Sequence, residues 1–184
     1  RHRGAGLGGG SADAAFALKM INDLAGLSLS DDELEKYAAR IGADCAFFVR
    51  NKPAFATGIG NILTPAKLSL AGYTLVLVKP EIHISTKDAY AQVTPMHPEV
   101  SIAEIVKRPI AEWRQLLVND FEKSVFAKYP EVATIKEKLY EIGAEYASMS
   151  GSGSAFFGIF KEKHDEAKMR ELFAGCFCRV IELQ

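Results

Sequence analysis

At 184 residues the chain has room for one ordinary domain or two small ones. Its 48% hydrophobic and 24% charged residues are the composition of a soluble globular protein, and no apolar run approaches the roughly 18 residues that span a bilayer. A formal net charge of −1 without a polybasic cluster argues against nucleic acid as the main partner, and no signal-peptide pattern is visible. Cys45, Cys176 and Cys178 form an odd set without zinc-type spacing and read as free thiols of a reducing, cytoplasmic compartment. His2, His83, His97 and His164 are scattered and form no ligand cluster.

The chain opens on Gly4-Ala5-Gly6-Leu7-Gly8-Gly9-Gly10-Ser11-Ala12-Asp13-Ala14-Ala15. Glycine admits positive φ and close approach to its backbone, while a helix N-terminus offers unsatisfied N–H groups and partial positive charge. Glycines leading into a helix therefore make a cradle for an anion, most often a phosphate. A Gly/Ser linker is disfavoured, because Ala14, Leu18, Ile21 and Ala25 then fall on one helix face. A Walker A loop is excluded, since no lysine precedes Lys19. Gly4-x-Gly6-x-x-Gly9 matches the dinucleotide fingerprint in letters only: Arg1-His2-Arg3 stand where its strand belongs. Ser11 reads as the helix cap or as a hydroxyl donor to phosphate. Asp13 reads as a first-turn carboxylate favoured by the helix dipole, with direct Mg²⁺ binding the lesser alternative.

Ser30 and Glu33 form a capping-box pattern, Leu34, Tyr37, Ala38 and Ile41 give a second helical stripe, and Gly42 suits its end. Asp44 follows just before Cys45-Ala46-Phe47-Phe48, a setting that predicts apolar groups around the carboxylate. Such an acid can take the proton of an alcohol during phosphoryl transfer; on residue types alone it reads equally as a cap or turn aspartate. Cys45 beside it has no histidine near in sequence and reads as packing. Residues 47–49, 54–57 and 61–63 read as short extended segments, and the pattern lapses over 66–72, a domain boundary.

Residues 73–78 form an apolar run suited to a buried strand that Pro80 ends. Residues 86–92 look helical with Ser85 as cap, and Thr86 and Tyr90 then share one face; the alternative places Tyr90 in the core. Helical patterns follow over 102–106, 111–126 and 131–142, the last with Pro130 at its first turn. Strand-like runs at 145–148 and 155–160 flank Ser150-Gly151-Ser152-Gly153-Ser154, by itself an ordinary hairpin turn. A helix over 164–173 and a strand over 176–183 finish the chain. Strands mixed with helices on an irregular schedule predict an α+β fold with helices on one sheet face.

Four stretches together resemble the GHMP small-molecule kinases: the glycine run, residues 42–50 (Gly42-Ala43-Asp44-Cys45-Ala46-Phe47-Phe48-Val49-Arg50), residues 54–65 with the Gly58-Ile59-Gly60 turn, and Ser150-Gly151-Ser152-Gly153-Ser154-Ala155. The Gly-Gly-Gly-Ser variant is similar to the branch whose acceptor is a cytidine-diphosphate polyol. The resemblance implies the remainder of a GHMP N-terminal lobe over 1–70 and a ferredoxin-like C-terminal domain over 71–184. It implies ATP held by Gly4, Ala5, Gly6, Leu7, Gly8, Gly9, Gly10, Ser11 and Ala12, with Mg²⁺ shielding the phosphates. Asp44 becomes the catalytic base, Ile59, Thr86 and Tyr90 contact the acceptor, and Gly151, Ser152 and Gly153 close onto the phosphates in a cleft between the lobes. The family's N-terminal segment, with its catalytic lysine, has no counterpart here, so the chain reads as a truncated kinase inactive by itself. The partner is a small molecule, not nucleic acid or a membrane, and monomer and homodimer both fit. The alternatives are a GHMP kinase for mevalonate, homoserine or galactose, and a non-catalytic nucleotide-binding module. On this reading an Asp44 facing bulk solvent, or far across the molecule from the amide nest, collapses the kinase assignment.

Overall fold

In the computed structural model, which describes residues 6–90, 93 and 99–184, the chain divides into two units. One is Gly8–Leu68; the other is Ser69–Gln184, joined by Gly6 and Leu7.

In the first unit, α1 (Gly9–Leu24) packs with α2 (Asp31–Ile41), a short 3-10 turn (Ala43–Cys45) and α3 (Phe47–Arg50). The capping box at the start of α2 is complete: Ser30 Oγ accepts from Glu33 N–H and the Glu33 carboxylate accepts from Ser30 N–H at 2.9 Å. Ala15, Leu34, Ala38, Cys45 and Val49 make the core, with Ala14 and Leu18 packed against it. The apolar stripes are narrower than their sequence periodicity suggests, since Ile21, Tyr37 and Ile41 are exposed. Residues 47–49, expected to be extended, are helical instead. Arg50 closes that turn by reaching Asp32 and Glu35 of α2, and Asn51 at φ 50° ends it. Strands β1 (Ala54–Thr57) and β2 (Ile62–Pro65) pair antiparallel around the Gly58–Gly60 turn.

In the second unit the elements are β3 (Thr74–Pro80), α4 (Thr86–Tyr90), α5 (Ile102–Ile105), α6 (Ile110–Leu116), α7 (Phe121–Lys128), α8 (Pro130–Glu141), β4 (Tyr146–Met149), β5 (Phe156–Phe160), α9 (Glu166–Leu172) and β6 (Cys176–Glu182). The four strands lie in the order β4-β5-β3-β6, all antiparallel. A strand, helices, a hairpin, a helix and a last strand beside the first is the split βαβ arrangement of ferredoxin-like domains. Alternate residues of β3 are buried, and Val76, Val78, Phe156, Phe160 and Cys178 meet Val125, Val132, Leu139 and Met169 of the helices. The opposite face is partly covered by α6, whose Trp113 stands edge-on to Tyr146 at 5.7 Å.

The continuous helix expected over 111–126 is broken between α6 and α7. Asn119 is responsible: its Oδ1 accepts from Phe121 N–H at 3.0 Å, a local bond that competes with helix.

Burial pushes the Tyr146 phenol up to about 12, and its hydroxyl donates to Leu117 C=O at 2.9 Å. An unfolded tyrosine ionises near pH 10, so the stability that the buried phenol contributes is complete below that pH. It is lost as pH rises toward the folded value, at about 1.4 kcal/mol per pH unit. Tyr146→Phe is expected to flatten this alkaline slope, as read from urea unfolding below and within that window.

Candidate active site

The glycine run enters helix earlier than the sequence suggests. Helix α1 begins at Gly9, with Gly8 as its cap at φ 63°. Glycine is required at position 8 twice over, because a Cβ there would also lie 2.6 Å from the Phe48 ring. Ser11 is therefore the third helical residue rather than the cap, and Asp13, exposed, lies beyond the first turn. Ala12 N–H is the donor that returns to Gly8 C=O, at 2.8 Å. In α-helical geometry the amides of Gly9, Gly10 and Ser11 precede the intrahelical ladder and point out of the helix end. Gly9 and Gly10 are exposed, and a Cβ on either would meet nothing within 4 Å.

Asp44 belongs to the same unit, on the 3-10 turn that packs against α1 and α2. A Cβ on Gly60 would sit 3.2 Å from Asp44 Oδ1, so the Gly58–Gly60 turn and the acid come together. The apolar enclosure expected around Asp44 is absent: Asp44 is exposed, while Cys45 and Ala46 turn inward. In a 3-10 turn successive side chains point about 120° apart, so apolar sequence neighbours do not bury the residue before them. Ile59 is 81% exposed at the tip of its turn. Lys19 and Arg50, cations of this unit, are engaged: Lys19 Nζ donates to Val49 C=O at 3.0 Å and Arg50 holds the α2 carboxylates.

In the second unit, Gly6 lies against the loop that follows β4. A Cβ on Gly6, whose φ is +72°, would fall 1.9 Å from Ser150 O. Ser150 Oγ donates to Gly6 C=O at 2.7 Å. Gly151 and Gly153 have positive φ, Gly153 is buried beneath Met149 and Ile84, and Ser154 Oγ donates to Ile82 C=O at 2.6 Å. The loop is thus more than a hairpin turn: it joins Gly6 to the stretch that leads into α4. Ser85 Oγ accepts from Asp88 N–H at 3.4 Å, as its role at the start of α4 predicts. Thr86 and Tyr90 lie on the exposed face and Ala89 on the buried one; Tyr90 is 62% exposed, its ring 4.7 Å from Phe121. A core position for Tyr90 is thereby ruled out. Gly4 and Ala5 lie outside the described residues, while Gly6 to Ala12 fall within them.

Sequence reasoning missed Asn119, whose Nδ2 donates to both Met149 C=O and Gly151 C=O at 2.8 Å. It also missed Glu122, a buried carboxylate that accepts from Met149 N–H at 2.8 Å. The Asn119-Asp120 pair inside an apparent helix was the available signal, since both residues favour caps and turns. Burial pushes the Cys176 and Cys178 thiols up, which keeps them protonated, and Cys45 is a core residue. The cavities of about 660 Å³ beside Arg114 and Tyr140 and about 540 Å³ beside Lys19 and Arg50 are lined by other residues than these.

The profile of the GHMP kinases N terminal domain matches residues 2–52, and that of the GHMP kinases C terminal domain matches residues 101–174. The chain belongs to the GHMP kinase family. It is 56% identical over 181 residues to the 4-diphosphocytidyl-2-C-methyl-D-erythritol kinase of Bacteroides fragilis, covering 98% of this chain and 65% of that protein. The enzyme of that name from Parabacteroides distasonis is 57% identical over 174 residues, covering 95% of this chain and 64% of that one. The chain thus spans about 65% of the length of these curated relatives. A crystal structure of 4-(cytidine 5'-diphospho)-2C-methyl-D-erythritol kinase superposes with a TM-score of 0.80 at 28% identity, over 98% of this chain and 67% of that one. A homoserine kinase from Cytophaga hutchinsonii, at 17% identity, TM-score 0.63 and 100% and 67% coverage, shares the fold.

Gly6→Ala is expected to destabilise the protein by roughly 1–3 kcal/mol, through left-handed strain plus the clash with Ser150 O. Gly151→Ala, whose Cβ would meet Gly6 O only at 3.6 Å, carries the strain alone and should cost less. Denaturant unfolding of the two variants side by side checks the order.

Proposed function

We propose that the full-length protein is an ATP-dependent kinase that phosphorylates the 2-hydroxyl of 4-diphosphocytidyl-2-C-methyl-D-erythritol in non-mevalonate isoprenoid biosynthesis. The observation that carries this reading is the 56% identity, over 98% of the chain, to a relative named for that substrate. Residues 1–70 are read as the remainder of the ATP-binding N-terminal lobe and 71–184 as the C-terminal domain. Among the described residues no helix is long and apolar enough to cross a membrane. We assign the protein to the cytoplasm, as monomer or homodimer, with small molecules rather than nucleic acid or membrane as partners.

The start of α1 fits a polyphosphate. Glycine inside a helix costs roughly 0.5–1 kcal/mol relative to alanine, yet the fold gives no steric reason for Gly9 and Gly10. A ligand seated on their amides does. ATP supplies the phosphoryl group; Gly6, Leu7, Gly8, Gly9, Gly10, Ser11 and Ala12 are assigned to its phosphates, together with Gly4 and Ala5. Among the described residues no group of three or more His, Cys, Asp or Glu side chains converges as a metal site. We assign Mg²⁺ to the nucleotide's phosphates.

Asp44 is assigned as the base that orients the acceptor hydroxyl and takes its proton. Ile59, Thr86 and Tyr90 are assigned to the cytidylyl polyol, for which the exposed Tyr90 ring offers a stacking face. Gly151, Ser152 and Gly153 are assigned to the transferring phosphoryl. This is catalysis by positioning and preorganised dipoles, the terms on which phosphoryl transfer depends. One observation, the exposure of Asp44, favours the second reading of a nucleotide-binding module without turnover; sequence identity outweighs it.

Phosphorylation of the cytidine-diphosphate polyol, assayed against mevalonate, homoserine and galactose, separates these readings. Asp44→Asn in the full-length protein is expected to lower kcat by about 10²–10⁴-fold with nucleotide binding retained; near-normal turnover would remove the base from the mechanism. Gly10→Ala is expected to leave thermal stability unchanged or raised while increasing KM for ATP several-fold. An unchanged KM would take the phosphates away from α1.

A further inference from the structure

We propose that Asn119 and Glu122, at the start of α7, are positioning residues that set the loop over residues 150–153 and helix α4 on one support; this rests on the kinase reading above. Asn119 uses its whole side chain. Both N–H directions go to the loop, to Met149 C=O and Gly151 C=O at 2.8 Å, while Oδ1 is held by Phe121 N–H. Glu122 is 6% exposed, and one oxygen accepts from Met149 N–H at 2.8 Å and Ser148 Oγ at 3.2 Å. Its other oxygen accepts from Lys136 Nζ at 2.5 Å, which compensates the buried charge.

The same helix carries α4. The Phe121 ring lies against Tyr90, Ser124 Oγ donates to Ala89 C=O at 2.9 Å, and Lys128 pairs with Asp88 at 2.9 Å. One eight-residue helix therefore grips the loop at its first turn and the acceptor-side helix along its length. The loop's far end is fixed to Ile82 through Ser154, and its start to Gly6 through Ser150. Backbone N–H groups act on a transferring phosphoryl only if their directions are held before it arrives, and a loop of glycines and serines cannot hold its own. Asn119 and Glu122 supply that restraint.

The test uses the full-length protein with Asn119→Asp and Glu122→Gln, read by amide hydrogen exchange and steady-state kinetics. Asn119→Asp keeps the acceptor for Phe121 N–H but turns carboxylate oxygens on two carbonyls. Exchange over residues 149–154 is expected to rise roughly tenfold or more, with α8 and β3 unchanged. The expected loss in kcat is about 10–100-fold, the scale of a misplacement near 1 Å, with a smaller change in the KM for acceptor. Glu122→Gln, which can still accept from Met149 N–H, is expected to lie between wild type and Asn119→Asp on both readouts.

Unchanged exchange at 149–154 overturns the proposal. So does local loosening with wild-type kcat, or protection lost evenly over the whole chain in both variants, which marks a purely structural role. Wild-type protein that transfers no phosphoryl group instead overturns the kinase reading, and this inference with it. Failure of the inference alone is recognised by an active wild type and equally active variants.

Discussion

Backbone meets backbone at Gly6 and Ser150, at a separation that no side chain on residue 6 could share. This approach joins two stretches 144 positions apart in the chain and is closed by the Ser150 hydroxyl on Gly6 C=O. Everything that makes the second unit more than a ferredoxin-like sheet follows from it. The loop after β4 becomes the place where Gly6 and the stretch before α4 are tied together. The hydrogen bonds involved are mostly to main chain, so the identities that matter are glycine, for access, and serine, for a short donor.

The sheet beneath that loop is an apolar layer with few choices. Val76, Val78 and Phe156 are fully buried, and Leu139 of α8 fills the space over them. At one end of the layer the chain admits a carboxylate, Glu122, and satisfies it with Lys136 and a strand amide. Buried charges are costly unless paired, and replacement by apolar residues is often neutral for stability. The location of this one, at the root of a glycine- and serine-rich loop, is what gives it meaning beyond packing.

The first unit shows the complementary economy. Its core is small, built on Ala15, Leu34, Ala38, Cys45 and Val49, and several apolar residues of α1 and α2 remain exposed. What is well determined there is local: the capping box of α2, the left-handed Gly8 cap beneath the Phe48 ring, and the Arg50 cluster that closes α3 onto α2. Asp44 and the Gly58–Gly60 turn meet because glycine at 60 leaves room for the carboxylate.

The sequence alone determined what depends on neighbours within a few residues. The Ser30–Glu33 box, Pro130 at the first turn of α8, the β4–β5 hairpin and the apolar run of β3 were legible, because caps, turns and apolar runs are local physics. The glycine run, Asp44 and the second Gly/Ser loop were legible as residue types, and their resemblance to one family agreed with the comparisons. Tertiary structure alone decided the rest. Residues 47–50 became helix because Arg50 found the carboxylates of α2, and the helix over 111–126 broke at Asn119, whose side-chain direction gives Oδ1 to Phe121 N–H and Nδ2 to carbonyls some thirty positions away. Asp44 lost its expected apolar enclosure because a tight turn points adjacent side chains apart. In each case the deciding partner is distant in sequence or set by a side-chain direction, which periodicity does not contain.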